Sequence, residues 1–405
     1  MVRIFLARQP ILDREGRIFA YELLFRSRYT DTARVEDGRK ATARVIESLI
    51  SSFGLRNVVR DRIGFINIDE SSDILKVVEI LPPERIGFEV LETSVLSEEF
   101  FKTLKRLKSL GYRLSLDDFV YDEQVVPFID LVDYVKIDVL NCTDEAEIEK
   151  VLKLIRGSEA KLVAEKVETY QMYKTCLSMG FDYFQGFFFQ KPEIVASKTI
   201  EPAYAALIKL YNLVATEASV VEIEKVFKKF SELSVKLLQL INSAYYALRQ
   251  PIKSIRHAIL MLGYRNILRW ILILMYSVRD EEFGSDPLFE EASIRGFFME
   301  NLAKKCLRDR EEVEKAFITG VLSLIDVLIG LPVESALEEL MLEDDIKRAL
   351  LRREGSLGDL LTLVESTQRG KVAELTPLLE RYNLTVADLL QAQTDAIRIY
   401  SELDF

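Results

Sequence analysis

Two adjacent carboxylates, Asp117 and Asp118, close the alternating stretch GYRLSLDDFV. Adjacent residues on a strand point to opposite sides, so such a pair can serve two different cations; a solvated turn at a strand end is the plainer reading of the same residues. Other polar residues end similar apolar runs. Asn67 closes RIGFINI, Glu89 is late in RIGFEV, Lys136 and Asp138 are late in DYVKIDV, Glu165 ends KLVAE, Gln185 ends FDYFQ, and Glu22 sits within AYELLFR. Taken singly, each is as easily a helix cap or a loop residue. Several carboxylates facing one pocket would repel each other unless cations neutralise them, and oxygen donors from Asp, Glu and Asn select Mg²⁺, Mn²⁺ or Ca²⁺. Two divalent ions with one basic residue nearby make a site suited to phosphodiester hydrolysis.

These groups need a scaffold that brings strand ends together. From residue 1 to about 195, short β-branched and aromatic runs alternate with amphipathic helical stretches. The strands expected are RIFLAR, RIFAYELLFR, RIGFINI, RIGFEVL, YRLSLDD, DYVKIDV, KLVAEKV and FDYFQGF. In EEFFKTLKRLKSLG, Phe100, Leu104, Leu107 and Leu110 recur at helical spacing and Gly111 supplies a stop. Eight strands with intervening helices predict a (β/α)8 barrel, whose site lies at the C-terminal ends of its strands. Beyond about residue 199 the strand signal disappears and helix follows helix. The expected domains are therefore a barrel over 1–198 and an all-α unit over 199–405.

Composition sets the limits. The chain has 405 residues, 49% of them hydrophobic, and a formal net charge of −11. That length suits two domains, and the acidic balance predicts neither a nucleic-acid duplex nor an anionic membrane as partner. The start, MVRIFLARQP, has too short an apolar core for a signal peptide, and the apolar run WILILMYSV from Trp270 is short of spanning length, so a cytoplasmic location is expected. Cys142, Cys176 and Cys306 are far apart and odd in number, which predicts buried small apolar residues without a disulfide framework.

Residues 3 to about 195 resemble the EAL-type cyclic di-GMP phosphodiesterases, modified (β/α)8 barrels that use two Mg²⁺ or Mn²⁺ ions. YELLFR is similar to the Glu-Ala-Leu-Leu-Arg segment, which implies Glu22 as a metal ligand and Arg26 as the arginine contacting phosphate. FINID implies Asn67 as a ligand; FEVLE implies Glu89 as a ligand and Glu92 as a residue steadying a neighbouring loop. LDDF implies Asp117 as the bridging ligand and Asp118 as a ligand of the second ion, while VKID places Lys136 by the attacking water. AEKVET supplies Glu165, as ligand and catalytic group, and FQGFFFQKP supplies Gln185 toward the substrate. The chain departs from the family at Leu23, where Ala is usual, and at Val120 and Lys166, where Gly is usual.

The stretch from INSAYYALRQPIKSIRHAILMLGYRN through ILMYS resembles the HDOD domain, a helical relative of HD-type phosphohydrolases without their metal ligands. An HD hydrolase needs several histidines, and this chain has one, His257, on a helix whose apolar face is Ile252, Ile255, Ile259 and Leu262. In AFITGVLSLIDVLIG, Ser323 and Leu324 stand where that family carries its His-Asp pair. The resemblance implies a non-catalytic module that regulates the barrel or binds a protein partner, with a homodimer as a further expectation. Three functional readings remain open: a two-metal cyclic di-GMP phosphodiesterase yielding linear pGpG, a degenerate barrel that binds the dinucleotide or works as a scaffold, and a metal-assisted hydrolase or lyase of another substrate.

Overall fold

The computed structural model describes residues 5–26, 55–70, 74–76, 78, 81–91, 94, 97–119, 126–140, 152–155, 157–187, 189, 202–243, 251–277, 286–330, 332–368 and 375–403; the side chains of 5–7, 25, 26, 56, 57, 76 and 231 are outside that description. The chain divides into two units, Met1–Lys191 and Pro192–Phe405.

The first unit is a closed eight-stranded barrel in sequential order. Its strands are β1 (Phe5–Leu12), β2 (Ile18–Arg26), β3 (Ile63–Ile68), β4 (Ile86–Val90), β5 (Arg113–Leu116), β6 (Tyr134–Asp138), β7 (Lys161–Glu165) and β8 (Tyr183–Gln185). Each overlaps one of the runs expected from the sequence. One feature differs from a plain (β/α)8 pattern: β1 is antiparallel to both β2 and β8, while β2 to β8 run parallel. The cause is local. No helix separates β1 from β2; Asp13 Oδ1 accepts from the amides of Glu15 and Arg17 at 3.0 and 2.8 Å, and Gly16 turns with φ +80°, closing a hairpin.

Helix α1 (Glu98–Ser109) shows how the outer layer is specified. Ser97 caps it by accepting from the Phe100 amide, Glu98 and Glu99 lie in its first turn, and Phe100, Leu104 and Leu107 are buried against the strands. Leu110, expected on that apolar face, is instead the partly exposed C-cap, because Gly111 turns the chain away at φ +91°. Between β7 and β8, α2 (Tyr170–Met179) is capped by Thr169 and ended by left-handed Gly180.

The second unit is helical throughout its described residues. Its principal elements are α3 (Pro202–Ala215), α4 (Ile255–Met275), α5 (Pro287–Cys306), α6 (Arg310–Leu322) and α7 (Val386–Glu402). The apolar run from Trp270 is the second half of α4, which by length and composition alone could cross a membrane. The helix is broken at Gly263 (φ +76°), and Ile267 and residues 270–275 are buried, as in the core helix of a folded domain. Cys176 and Cys306 are free and at least partly buried; Cys142 is outside the described residues.

Candidate active site

Strand alternation sorts the barrel interior into two layers. The lower layer is a cluster of Ile11, Ala20, Ile63, Phe65, Tyr134 and Val163. Two residues further along the same strands come Glu22, Asn67, Lys136 and Glu165, so the next inward-facing layer is polar. Glycine makes room below: a Cβ on Gly87 would lie 2.5 Å from Phe65 Cε1, so the Phe65 ring fills the interior at the level where β4 carries no side chain. Glu89 follows two positions later.

Lys136 is the centre of the polar layer. Its ammonium lies 2.6 Å from Glu165, 2.7 Å from Glu89, 3.1 Å from Asp117 and 3.2 Å from Glu22. Gln185 Nε2 donates to Glu22 Oε2 at 2.6 Å. Five members are nearly removed from solvent: Lys136 1%, Glu89 0%, Gln185 3%, and Glu22 and Glu165 7% each. One cation among four acids leaves the cluster short of positive charge, and the titration behaviour follows. Burial raises Glu89 well above the carboxylate range, with repulsion from Glu22, Asp117 and Glu165 adding to it against Lys136. Burial likewise raises Asp117, and it pushes Glu165 to about 8 with help from Asp117 and Glu22. For Glu22 burial acts in the same sense, yet Lys136, Gln185 and Asn67 outweigh it and hold its carboxyl below the usual range. The Lys136 ammonium is opposed by burial and held well above the usual lysine range by its four acids.

The donor set fits a divalent cation. Asn67 Oδ1, Glu89 Oε2, Asp118 Oδ1 and Gln185 Oε1 are buried without a hydrogen-bond donor, and Glu89 Oε1 meets Lys136 only as an ion pair. Unsatisfied buried oxygens of this kind are costly and are what a hard metal ion would satisfy. Among the described residues no three Asp, Glu, His or Cys side chains enclose one metal-sized point. The point that the four carboxylates share is filled by Lys136 Nζ.

The strand ends around β6 have a common irregularity. The amide of Asp117 donates to Val90 O and that of Phe119 to Lys136 O, while Asp118 between them is left-handed at φ +40°. Across β6, Val139 N donates to Glu165 O and Val167 N to Gln185 O, and Lys166 between these links is left-handed at φ +55°. Each conformation costs a non-glycine residue about 1 kcal/mol. The Lys166 ammonium pairs with Asp138 Oδ2 and stands 3.5 Å from Asp118 Oδ2. The resemblance puts glycine at this position, and the positive φ supplies the physical reason.

The structure thus brings Glu22, Asn67, Glu89, Asp117, Asp118, Lys136, Glu165 and Gln185 to one rim. Lys136 lies at the centre of the acids. Asp138 and Lys166 join through their ion pair, a pairing between strands that spacing along the chain does not reveal. Glu92 and Val120 are outside the described residues, as is the side chain of Arg26, whose backbone ends β2.

In the helical unit, Ser323 accepts a hydrogen bond from buried Arg295 at 3.1 Å and donates to Gly320 O, and Leu324 is buried. His257 is exposed, its amide donating to the Ser254 cap. A serine held by an arginine offers no metal ligand there.

A barrel whose parallel strands end in a buried acidic cluster around one lysine, followed by a helical module, defines a two-part class of protein. An EAL domain is matched over residues 3–192 and an HDOD domain over residues 200–351. "Uncharacterized protein YuxH" of Bacillus subtilis is 30% identical over 391 residues, 94% of this chain and 95% of that one. "Cyclic di-GMP phosphodiesterase CdgJ" of Vibrio cholerae is 32% identical over 372 residues, 91% of this chain and 86% of that one. The chain belongs to this family of EAL–HDOD proteins. Among solved structures, "a standalone versatile EAL protein from Vibrio cholerae O395 - c-di-GMP bound form" aligns with a TM-score of 0.40 at 23% identity, covering 47% of this chain and 92% of that one.

Proposed function

We propose that the barrel is a divalent-metal-dependent phosphodiesterase that opens cyclic di-GMP to linear pGpG. The observation that carries this reading is the set of buried oxygens without donors, Glu89 Oε2, Asn67 Oδ1 and Asp118 Oδ1, at the C-terminal ends of the barrel's parallel strands. The similarity to CdgJ over most of both chains supports the substrate. Glu22, Asn67, Glu89, Asp117, Asp118 and Glu165 would hold two Mg²⁺ or Mn²⁺ ions, with Asp117 shared between them as the resemblance implies. When bound, they supply Lewis-acid charge and a water of lowered pKa.

The remaining steps belong to side chains. Asp117, shared between the two ions, places the two halves of the site. Lys136 neutralises the acids at rest and, once they are occupied, is free to donate to an oxygen at the reacting phosphate. Gln185 holds Glu22 in position and keeps its own Oε1 toward the pocket. Arg26, by resemblance, clamps a phosphate. Water adds to phosphorus, the bond from phosphorus to the 3′ oxygen breaks, and Glu165 takes a proton from the water and returns one to the departing 3′ oxygen.

The helical half acts by contact, binding a protein partner or modulating the barrel, and the protein works in the cytoplasm, with a homodimer as one assembly. A second reading is favoured by Lys136 and Lys166 themselves: cations already seated among the acids suit a barrel that binds the dinucleotide without cutting it. Incubating purified protein with cyclic di-GMP and Mg²⁺ or Mn²⁺, then separating nucleotides by chromatography, tests the proposal. Linear pGpG is expected; bound but uncut dinucleotide under both metals selects the scaffold.

A further inference from the structure

We propose that Lys166 is a built-in competitor for the second divalent ion, seated between Asp118 and Asp138 and displaced when that ion binds. The inference rests on the reading of the rim as a metal site and adds a residue that controls its loading. Geometry supports it from three directions. The β5 and β7 ends flank β6, and each carries a left-handed residue, Asp118 and Lys166, where the ladder bonds on either side remain intact. Those two kinks bring an acid and a base within 3.5 Å of each other, and the base also meets the Asp138 carboxylate. Finally, Asp118 Oδ1 stays buried without a donor while its Oδ2 faces the ammonium, so this carboxylate is only half satisfied by the lysine.

The two lysines differ in what they can do next. Lys136 is enclosed, and its ammonium has no solvent to move to. Lys166 is about half exposed along its side chain, 48%, and a four-carbon stem lets its ammonium leave for water without disturbing the strand. An ion arriving beside Asp118 and Glu165 meets a resident positive charge within a few ångströms, which repels it until the lysine withdraws. The first ion, on the Glu22, Asn67 and Glu89 side, meets no such competitor from Lys166. Lys136 stands among the acids of both ions, but the second ion alone binds at the expense of the Lys166 ion pairs, so the two steps are unequal.

Mn²⁺ alone, without nucleotide, is the probe. Calorimetric titration of the full chain should resolve two unequal steps, and Lys166→Gly should tighten the second by about tenfold or more, the worth of a displaced charge-assisted pair, with the first changed by less than about threefold. Electron paramagnetic resonance gives an independent readout: the spin-coupled Mn²⁺ pair should form at lower Mn²⁺ in the variant. Glycine suits the left-handed backbone, and Lys166→Asn, which also tolerates it, controls for loop loosening; thermal melts check the fold of both. A second step unchanged in both variants, or a single ion bound by parent and variants alike, overturns the competitor role while leaving the metal site standing. Binding of no Mn²⁺ by any of the three overturns the metal site and this inference with it.

Discussion

Lys136 Nζ and Glu89 Oε1 lie 2.7 Å apart at the centre of the barrel, with side-chain exposures of 1% and 0%. Neither can reach water, and Lys136 is the one cation offsetting Glu89 and its three acidic neighbours, so Lys136 serves stability as well as chemistry. Removing one partner of a buried ion pair costs about 3–5 kcal/mol. Lys136→Met is expected to lower the melting temperature of the metal-free protein, more at pH 8 than at pH 5, where protonation relieves its four acids. Divalent metal should restore part of that loss. Differential scanning calorimetry at both pH values, with and without Mn²⁺, reads the outcome; equal melting temperatures for parent and variant at pH 8 would refute it.

Asp117 is expected to behave in the opposite way. Burial and like charges raise its carboxyl, so the charged form is a liability without metal. Asp117→Asn should leave the metal-free fold as stable as the parent or slightly more so. The same change should remove most divalent-metal binding and abolish any phosphodiesterase activity, because an amide cannot share charge between two ions. Metal titration and melts on one preparation separate these effects, and Mn²⁺ binding as tight as the parent's would refute the bridging role.

The pH dependence of metal-free stability has a definite sign. Glu165 titrates at about 8 in the folded barrel, above its ordinary 4.5. Unfolding therefore releases protons between those values, and the group's contribution to stability is present in full below about 4.5 and lost as pH rises to about 8. Glu165→Gln should flatten the fall in melting temperature over that window. A slope unchanged from the parent's would mean that Glu165 is not the titrating group.

Gly87 tests the scaffold apart from its chemistry. A methyl group there would stand 2.5 Å from Phe65 Cε1, inside the barrel and under Glu89. Gly87→Ala is expected to cost about 1–3 kcal/mol through displacement of that ring. Adding Phe65→Leu should recover part of the loss, and chemical denaturation of the single and double variants measures the coupling.

All eight strands are readable in the sequence because each is a short β-branched or aromatic run, and seven of them, β2 to β8, carry a polar residue near the same rim, a local signal. The rim residues were legible for the same reason, since two-residue periodicity places Glu22 above Ala20 and Lys136 above Tyr134. The reversal of β1 is written more faintly, in the Asp13–Gly16 turn and in the missing helix between β1 and β2. What the sequence does not disclose is the pairing across strands. Lys136 lies 114 positions from Glu22, and Lys166 lies 28 from Asp138. The backbone sign at Asp118 and Lys166 is also hidden, because neither is a glycine.

The antiparallel first strand has a practical consequence for anyone handling this protein. In an all-parallel barrel the chain would enter at the floor, opposite the reactive mouth. Here Phe5 pairs with Arg26, the last residue of β2, so β1 starts at the mouth itself. A purification handle or reporter joined ahead of β1 is thus delivered to the doorway of the acidic cluster. There a string of histidines would compete for the ions under study and crowd an incoming dinucleotide. An N-terminal fusion becomes a deliberate cap on the mouth, graded by its length.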